Sequence, residues 1–205
     1  MIPAEMDNTH NSPRHSLAKQ PLLLLLEDDD YCAKEYEKVA KDLGWEVVKA
    51  RHLKGVEALA KKRKGQIRFA VVDLMIPANQ KNLEDVELWL TKKEEVRKRR
   101  TTRANPTKLD ANELRTAFKE LDRIEQELRK LILLDGGIQF LHKAAKHGWL
   151  DGAEIVIFSA RDNTKPELAS QIAELEKLFP GLGFMQKPVP TKIIKDLLSE
   201  KRRTA

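Results

Sequence analysis

The sequence predicts a doubly wound α/β fold, a five-stranded parallel sheet in the order 2-1-3-4-5 covered by helices on both faces, with an inserted α-helical hairpin. Three observations carry this expectation. Short unbroken apolar runs stand at Leu22–Leu26, Phe69–Val72 and Ile155–Phe158, and such runs indicate strands buried on both faces. Amphipathic stretches alternate with them, which implies right-handed βαβ crossovers. One block, residues 78–134, lacks any strand signal and interrupts that rhythm.

Taken in order, residues 1–20 mix Asn, Ser, Pro, His and charges without an apolar period and are expected to be a flexible leader. The first strand, Leu22–Leu26, precedes a helix at 31–43. Trp45-Glu46-Val47-Val48 has the mixed pattern of a strand nearer an edge, and a helix follows at 52–64. Phe69–Val72 completes the first part of the core, 21–77. Within 78–134, a helix over 82–100 would present Leu83, Val86, Leu90 and Val96. Asn105-Pro106 breaks it, and Asp110 with Glu113 forms a capping box that starts a second helix. Leu114, Ala117, Leu121, Ile124, Leu128 and Leu131 then recur at spacings of three and four, a coiled-coil seam. That seam exceeds what one short helix can cover, so a homodimer through 78–134, or a helical partner, is expected to complete it. The second part of the core, 135–205, holds a helix at 135–147, the strand Ile155–Phe158, a helix at 165–179, a weak strand at Phe184-Met185, and a helix at 190–202 followed by a short basic tail.

Composition narrows the function. The chain of 205 residues is 41% hydrophobic, 34% charged and 5% aromatic, which suits one soluble core plus an accessory piece. A single cysteine, Cys32, excludes an intramolecular disulfide framework and fits a reducing cytoplasm. The five-residue run Leu22–Leu26 is far too short to span a bilayer. The net charge of +6 is matched by the segment 92–108, where Lys92, Lys93, Arg97, Lys98, Arg99, Arg100, Arg103 and Lys108 face only Glu94 and Glu95. Without an aromatic platform or a DNA-reading helix, this basic tip is read as a solvated helix end, and nucleic acid is disfavoured as a partner. Cys32, His142 and His147 lack partners at ligand spacing and are read as packing or solvent-facing residues.

The chemistry is expected where the strands end, because open parallel sheets bind ligands beyond their carboxyl edges. Glu27, Asp28 and Asp29 follow the first strand, Asp73 the third, Ser159 the fourth, and Lys187-Pro188 the fifth. In the flavodoxin-like order the first and third strands are neighbours, so Glu27 and Asp28 meet Asp73 in one crevice. Like charges at that range need a compensating cation, and hard oxygen ligands suit Mg²⁺. With the metal held by two carboxylates, a third can attack a phosphoryl group while Lys187 and Ser159 steady its oxygens.

These residues resemble the receiver domains of two-component signalling over about 21–202, the insertion excepted. Leu22 to Asp29 resembles the family's first strand and acidic pair, and Val71-Val72-Asp73-Leu74-Met75-Ile76-Pro77 its phosphorylation strand. Asp135-Gly136-Gly137 resembles the Asp-Gly that opens its third helix, Phe158-Ser159-Ala160 its hydroxyl motif, and Phe184-Met185-Gln186-Lys187-Pro188 its aromatic and lysine-proline motif. The resemblance implies that Asp73 is the phosphoacceptor, Asp28 a direct Mg²⁺ ligand, Glu27 an outer metal partner, and the backbone carbonyl of Met75 a further ligand. It also implies that Ser159 and Lys187 contact the phosphoryl group, that Phe184 is the aromatic switch, and that Lys187-Pro188 is cis.

The sequence is therefore read as a stand-alone, cytoplasmic signalling switch rather than an enzyme, promoting its own phosphoryl transfer and dephosphorylation. A histidine kinase or histidine phosphotransfer protein would be the donor. Output would pass by protein contacts to an effector, since only one helix and a tail follow Lys192. A competing reading is a phosphorylation-independent adaptor that uses the insertion to bind a partner. A third, an aspartyl phosphatase, wants an acidic residue two positions after its nucleophile, where this chain has Met75.

Overall fold

The computed structural model describes residues 20–101 and 111–204. The leader up to residue 19, the Asn105-Pro106 break, Asp110 of the capping box, and Arg103 and Lys108 of the basic tip lie outside the described residues. Strands β1 (Leu22–Leu26), β2 (Glu46–Ala50), β3 (Ile67–Val72), β6 (Glu154–Ser159) and β7 (Gly183–Gln186) form one sheet in the order β2-β1-β3-β6-β7. Every pairing in it is parallel. This is the predicted 2-1-3-4-5 order, with the last two strands renumbered by two short strands in between.

All five leucines of β1 are buried because the strand is central and covered on both sides. Their alternation divides the core. Leu22, Leu24 and Leu26 face α2 (Leu53–Lys62), α5 (Gly136–His147) and α6 (Pro166–Leu178). Leu23 and Leu25 face α1 (Asp30–Asp42) and α7 (Thr191–Thr204), where Tyr36 meets the edge of Phe158 and Trp45 donates its indole N–H to the carbonyl of Leu198. The half-buried residues of β2 reflect its position at the edge. Asp29 caps α1 by accepting from the Cys32 N–H at 2.9 Å, so the acidic run also serves as a helix start.

Between β3 and α5 the chain departs from simple alternation. Ile76–Pro77 (β4) pairs antiparallel with Ile132–Leu133 (β5), and the helices α3 (Gln80–Thr101) and α4 (Ala111–Leu131) rise from this ribbon. The ribbon corrects the expectation that 78–134 holds no strand. Two residues are too few to show a period, and their pairing is fixed by the closing of the hairpin. The helices run antiparallel, as the ion pairs Lys93–Glu125 and Arg99–Glu120 show.

The seam of α4 falls where its spacing placed it, with Ile124 and Leu128 buried. Its opposing face is Val86, Trp89 and Val96, and Leu90, expected on the apolar side, is half exposed. The larger indole of Trp89 fills the contact, which turns the neighbouring Leu90 outward. The expectation that one short helix leaves the seam uncovered is also corrected. With 22 residues in α3 against 21 in α4, the partner is as long as the seam, and Leu121, Ile124 and Leu128 pack inside the hairpin. Among the described residues no helix is long and apolar enough to cross a membrane.

Candidate functional site

The β1–β3 register sets Leu26 level with Val72, so the residues that follow, Glu27 and Asp73, leave the same edge side by side. Backbone bonds hold both there. The Asp73 N–H donates to the Leu26 carbonyl at 2.9 Å, and the Glu27 N–H donates to that of Ala50 at 3.1 Å. Glu27 and Asp73 are buried, Asp28 is half-buried, and carboxylate oxygens of all three lie within 4.8 Å of one another.

Lys187 reaches this cluster from the end of β7, across β6, which requires a long side chain. Its N–H donates to the Ser159 carbonyl at 2.8 Å, which fixes the start of that reach, and the Lys187–Pro188 peptide is cis, as the resemblance implied. The ammonium lies 2.6 Å from Asp73 Oδ2, 2.8 Å from Glu27 Oε1 and 2.7 Å from Glu27 Oε2. The Met75 N–H donates to Asp73 Oδ1 at 3.1 Å, so each oxygen of Asp73 has a donor. Glu27 Oε2 is buried and, beyond its charge contact with Lys187, accepts no hydrogen bond.

Three carboxylates against one ammonium leave excess negative charge in a largely buried space. Burial first, then Asp73, pushes the Glu27 carboxyl up to about 7 against the pull of Lys187. Burial and Asp73 likewise push Asp28 up to about 6. For Lys187, burial would lower the ammonium, but Asp73 and Glu27 outweigh it and hold it above its ordinary value. The donor set fits a hard divalent cation, since all three residues offer carboxylate oxygens within 4.8 Å of one another and positive charge relieves the cost of ionising Glu27 and Asp28.

Ser159 is fully buried at the end of β6, and its Oγ accepts from the Arg161 N–H at 3.2 Å. Phe184, level with Ile157 on the neighbouring strand, is half-buried against the core. Two contacts at the site escaped sequence reasoning, which had Gly137 only as part of a helix-opening motif and did not single out Arg51. Gly137 donates its N–H to the Leu74 carbonyl at 3.0 Å, and a Cβ there would lie 2.2 Å from the carbonyl oxygen of Asp73. Arg51 grips the carbonyl oxygen of Asp28 through Nε at 3.0 Å and Nη2 at 2.6 Å. Its signal in the sequence was a basic residue directly after the strand that neighbours the acidic one.

No protein-family model matches the sequence, and no curated protein matches it. Solved structures do. A signal receiver domain from Vibrio parahaemolyticus is 12% identical with a TM-score of 0.52, the alignment covering 90% of this chain and 92% of that one. The receiver domain of the Francisella response regulator 1452 is 14% identical with a TM-score of 0.50, covering 90% and 98%. Chemotaxis protein CheY4 of Vibrio cholerae is 11% identical with a TM-score of 0.50, covering 88% and 98%. The fold is thus that of the response-regulator receiver domains. Within that fold, the chain carries two extra helices, α3 and α4, between β4 and β5.

Proposed function

We propose that the chain is a phosphorylation-dependent signalling switch in which Asp73 accepts a phosphoryl group in the presence of Mg²⁺. The observation that supports this reading is the buried network of Glu27, Asp28, Asp73 and Lys187 at the carboxyl edge of the sheet. In it, residues 21–77 and 135–205 are the receiver and 78–134 is an inserted arm. Asp28, Asp73 and the Met75 carbonyl would hold Mg²⁺, with Glu27 as an outer partner. The ion, when bound, neutralises charge on the phosphoryl oxygens.

The chain's own groups supply the rest. An Asp73 carboxylate oxygen attacks phosphorus as the bond to the donor, a phosphohistidine or small phosphodonor, breaks. Lys187 follows the charge from the Asp73 carboxylate to a phosphoryl oxygen. Ser159 Oγ, accepting from the Arg161 N–H, keeps its hydroxyl proton for another phosphoryl oxygen. Phe184 is the aromatic that responds when Ser159 shifts. A histidine kinase or histidine phosphotransfer protein is the proposed donor, and an effector protein the proposed receiver of the signal.

Intact-mass measurement after acetyl phosphate treatment tests this. Wild type should gain one base-labile phosphoryl group with Mg²⁺ and none without it, and Asp73→Asn should gain none. Equal labelling of the two proteins would remove Asp73 from its role.

A further inference from the structure

Arg51 spans from the acidic loop to the helical arm. While Nε and Nη2 hold the Asp28 carbonyl, Nη1 donates to Glu87 Oε1 on α3 at 2.7 Å. A planar guanidinium suits this use, since one edge forks onto a single oxygen and another N–H points away from it. The arm is tied on its return side as well. Arg161, whose N–H is held by Ser159 Oγ, donates Nη1 to the carbonyl of Leu134 at 3.0 Å, just after α4 and β5. The loops on both sides of Asp73 therefore each send an arginine to the hairpin.

We infer that Arg51 is a positioning residue through which helix α3 fixes the Asp28 loop, so that the helical arm sets the affinity of the acidic site for a divalent cation. The inference rests on the metal-dependent reading given above. Asp28 is repelled by Asp73, and the Arg51 fork ties the backbone at Asp28 from outside its own loop. Glu87 steadies the other end of that fork, and α3 is itself held to α4 by Val86, Trp89 and Val96. Fixing the backbone at Asp28 fixes where its carboxylate stands before the cation arrives.

At Arg51 charge and position predict opposite signs, and at Glu87 the double variant separates them, because a purely Coulombic effect of Glu87 would persist without Arg51. Removing a cationic side chain beside a cation site strengthens binding by Coulomb's law alone. Loss of positioning weakens it. The experiment is calorimetric titration of the full chain with Mg²⁺ alone, for wild type, Arg51→Gln, Glu87→Gln, the double variant, and Glu120→Gln as a distant control that cuts the Arg99 pair.

Arg51→Gln should bind on the order of tenfold more weakly, the scale of losing a group that orients a ligand. Glu87→Gln lies on a half-exposed surface and leaves the core untouched, and should weaken binding roughly two- to fivefold. In the Arg51→Gln background, Glu87→Gln should add nothing, and Glu120→Gln should match wild type. Tighter binding by Arg51→Gln, wild-type affinity in Glu87→Gln, or independent effects of the two would overturn the inference while the metal reading stands. A wild type that binds no Mg²⁺ overturns both.

Discussion

Replacing Glu27 with Gln should stabilise the metal-free protein, and increasingly so as the pH rises. Glu27 is 1% exposed, and burial lifts its carboxyl from an ordinary 4.5 to about 7 in the folded chain. A raised acid binds its proton more tightly when folded, so between those two values the folded state carries more protons than the unfolded one. Stability contributed by this group is therefore complete below 4.5 and is lost as the pH climbs through about 7. At about 1.4 kcal/mol per pH unit, that interval amounts to roughly 3 kcal/mol. Gln is neutral throughout, so the advantage of Glu27→Gln over wild type should grow by about that amount between pH 4 and pH 8. Urea unfolding of both proteins with chelator present, over a pH series, measures the difference directly. Saturating Mg²⁺ should shrink the gap at high pH, because the cation supplies the missing counter-charge. A difference that stays constant with pH would refute the reasoning.

Two further outcomes follow from packing. Gly137→Ala drives a methyl against backbone, 2.2 Å from the Asp73 carbonyl oxygen and 2.9 Å from Leu74 Cα. It should cost about 1–3 kcal/mol or more in thermal unfolding, and more than Gly136→Ala, whose nearest atoms are side-chain atoms of Ile76 and Leu133. Leu128→Glu places a charge in the α3–α4 contact, where it should melt the hairpin and lower the helical circular dichroism while acetyl phosphate at saturating Mg²⁺ still labels Asp73. Unchanged helicity with a smaller sedimentation coefficient would instead reveal an interface between copies.

The receiver fold was legible because its information is local and repeated. A run such as Leu22–Leu26 has one economical explanation, a central strand buried twice, and the charged or hydroxyl residue after each run inherits its position from the strand. The meeting of Glu27, Asp28, Asp73 and Lys187 then follows from strand order alone. What stayed hidden depends on distances between segments. Arg51 and Glu87 are 36 residues apart, and no pattern near either announces the other. Leu90 and Trp89 differ by one step around a helix, and only the shape of the opposing face decides which of them turns inward. The seam of α4 was readable from its spacing, but its sufficiency was not, since that required the length of α3.

The ribbon of Ile76–Pro77 with Ile132–Leu133 gives the arm a fixed hinge plate. Paired residues in such a ribbon stand about 4.5–5.5 Å apart, so the receiver is left and re-entered at almost one point. Seen from the sheet, the arm occupies the place of a tight turn, however long it is. Adding or deleting whole turns from the distal parts of α3 and α4 together leaves that plate untouched, and it leaves the Arg51 contact too, since Glu87 lies on the second turn of α3. The reach of the arm and its contact with Arg51 are therefore separable quantities in this chain: one is set by helix length, the other by the first two turns of α3 and the plate beneath them.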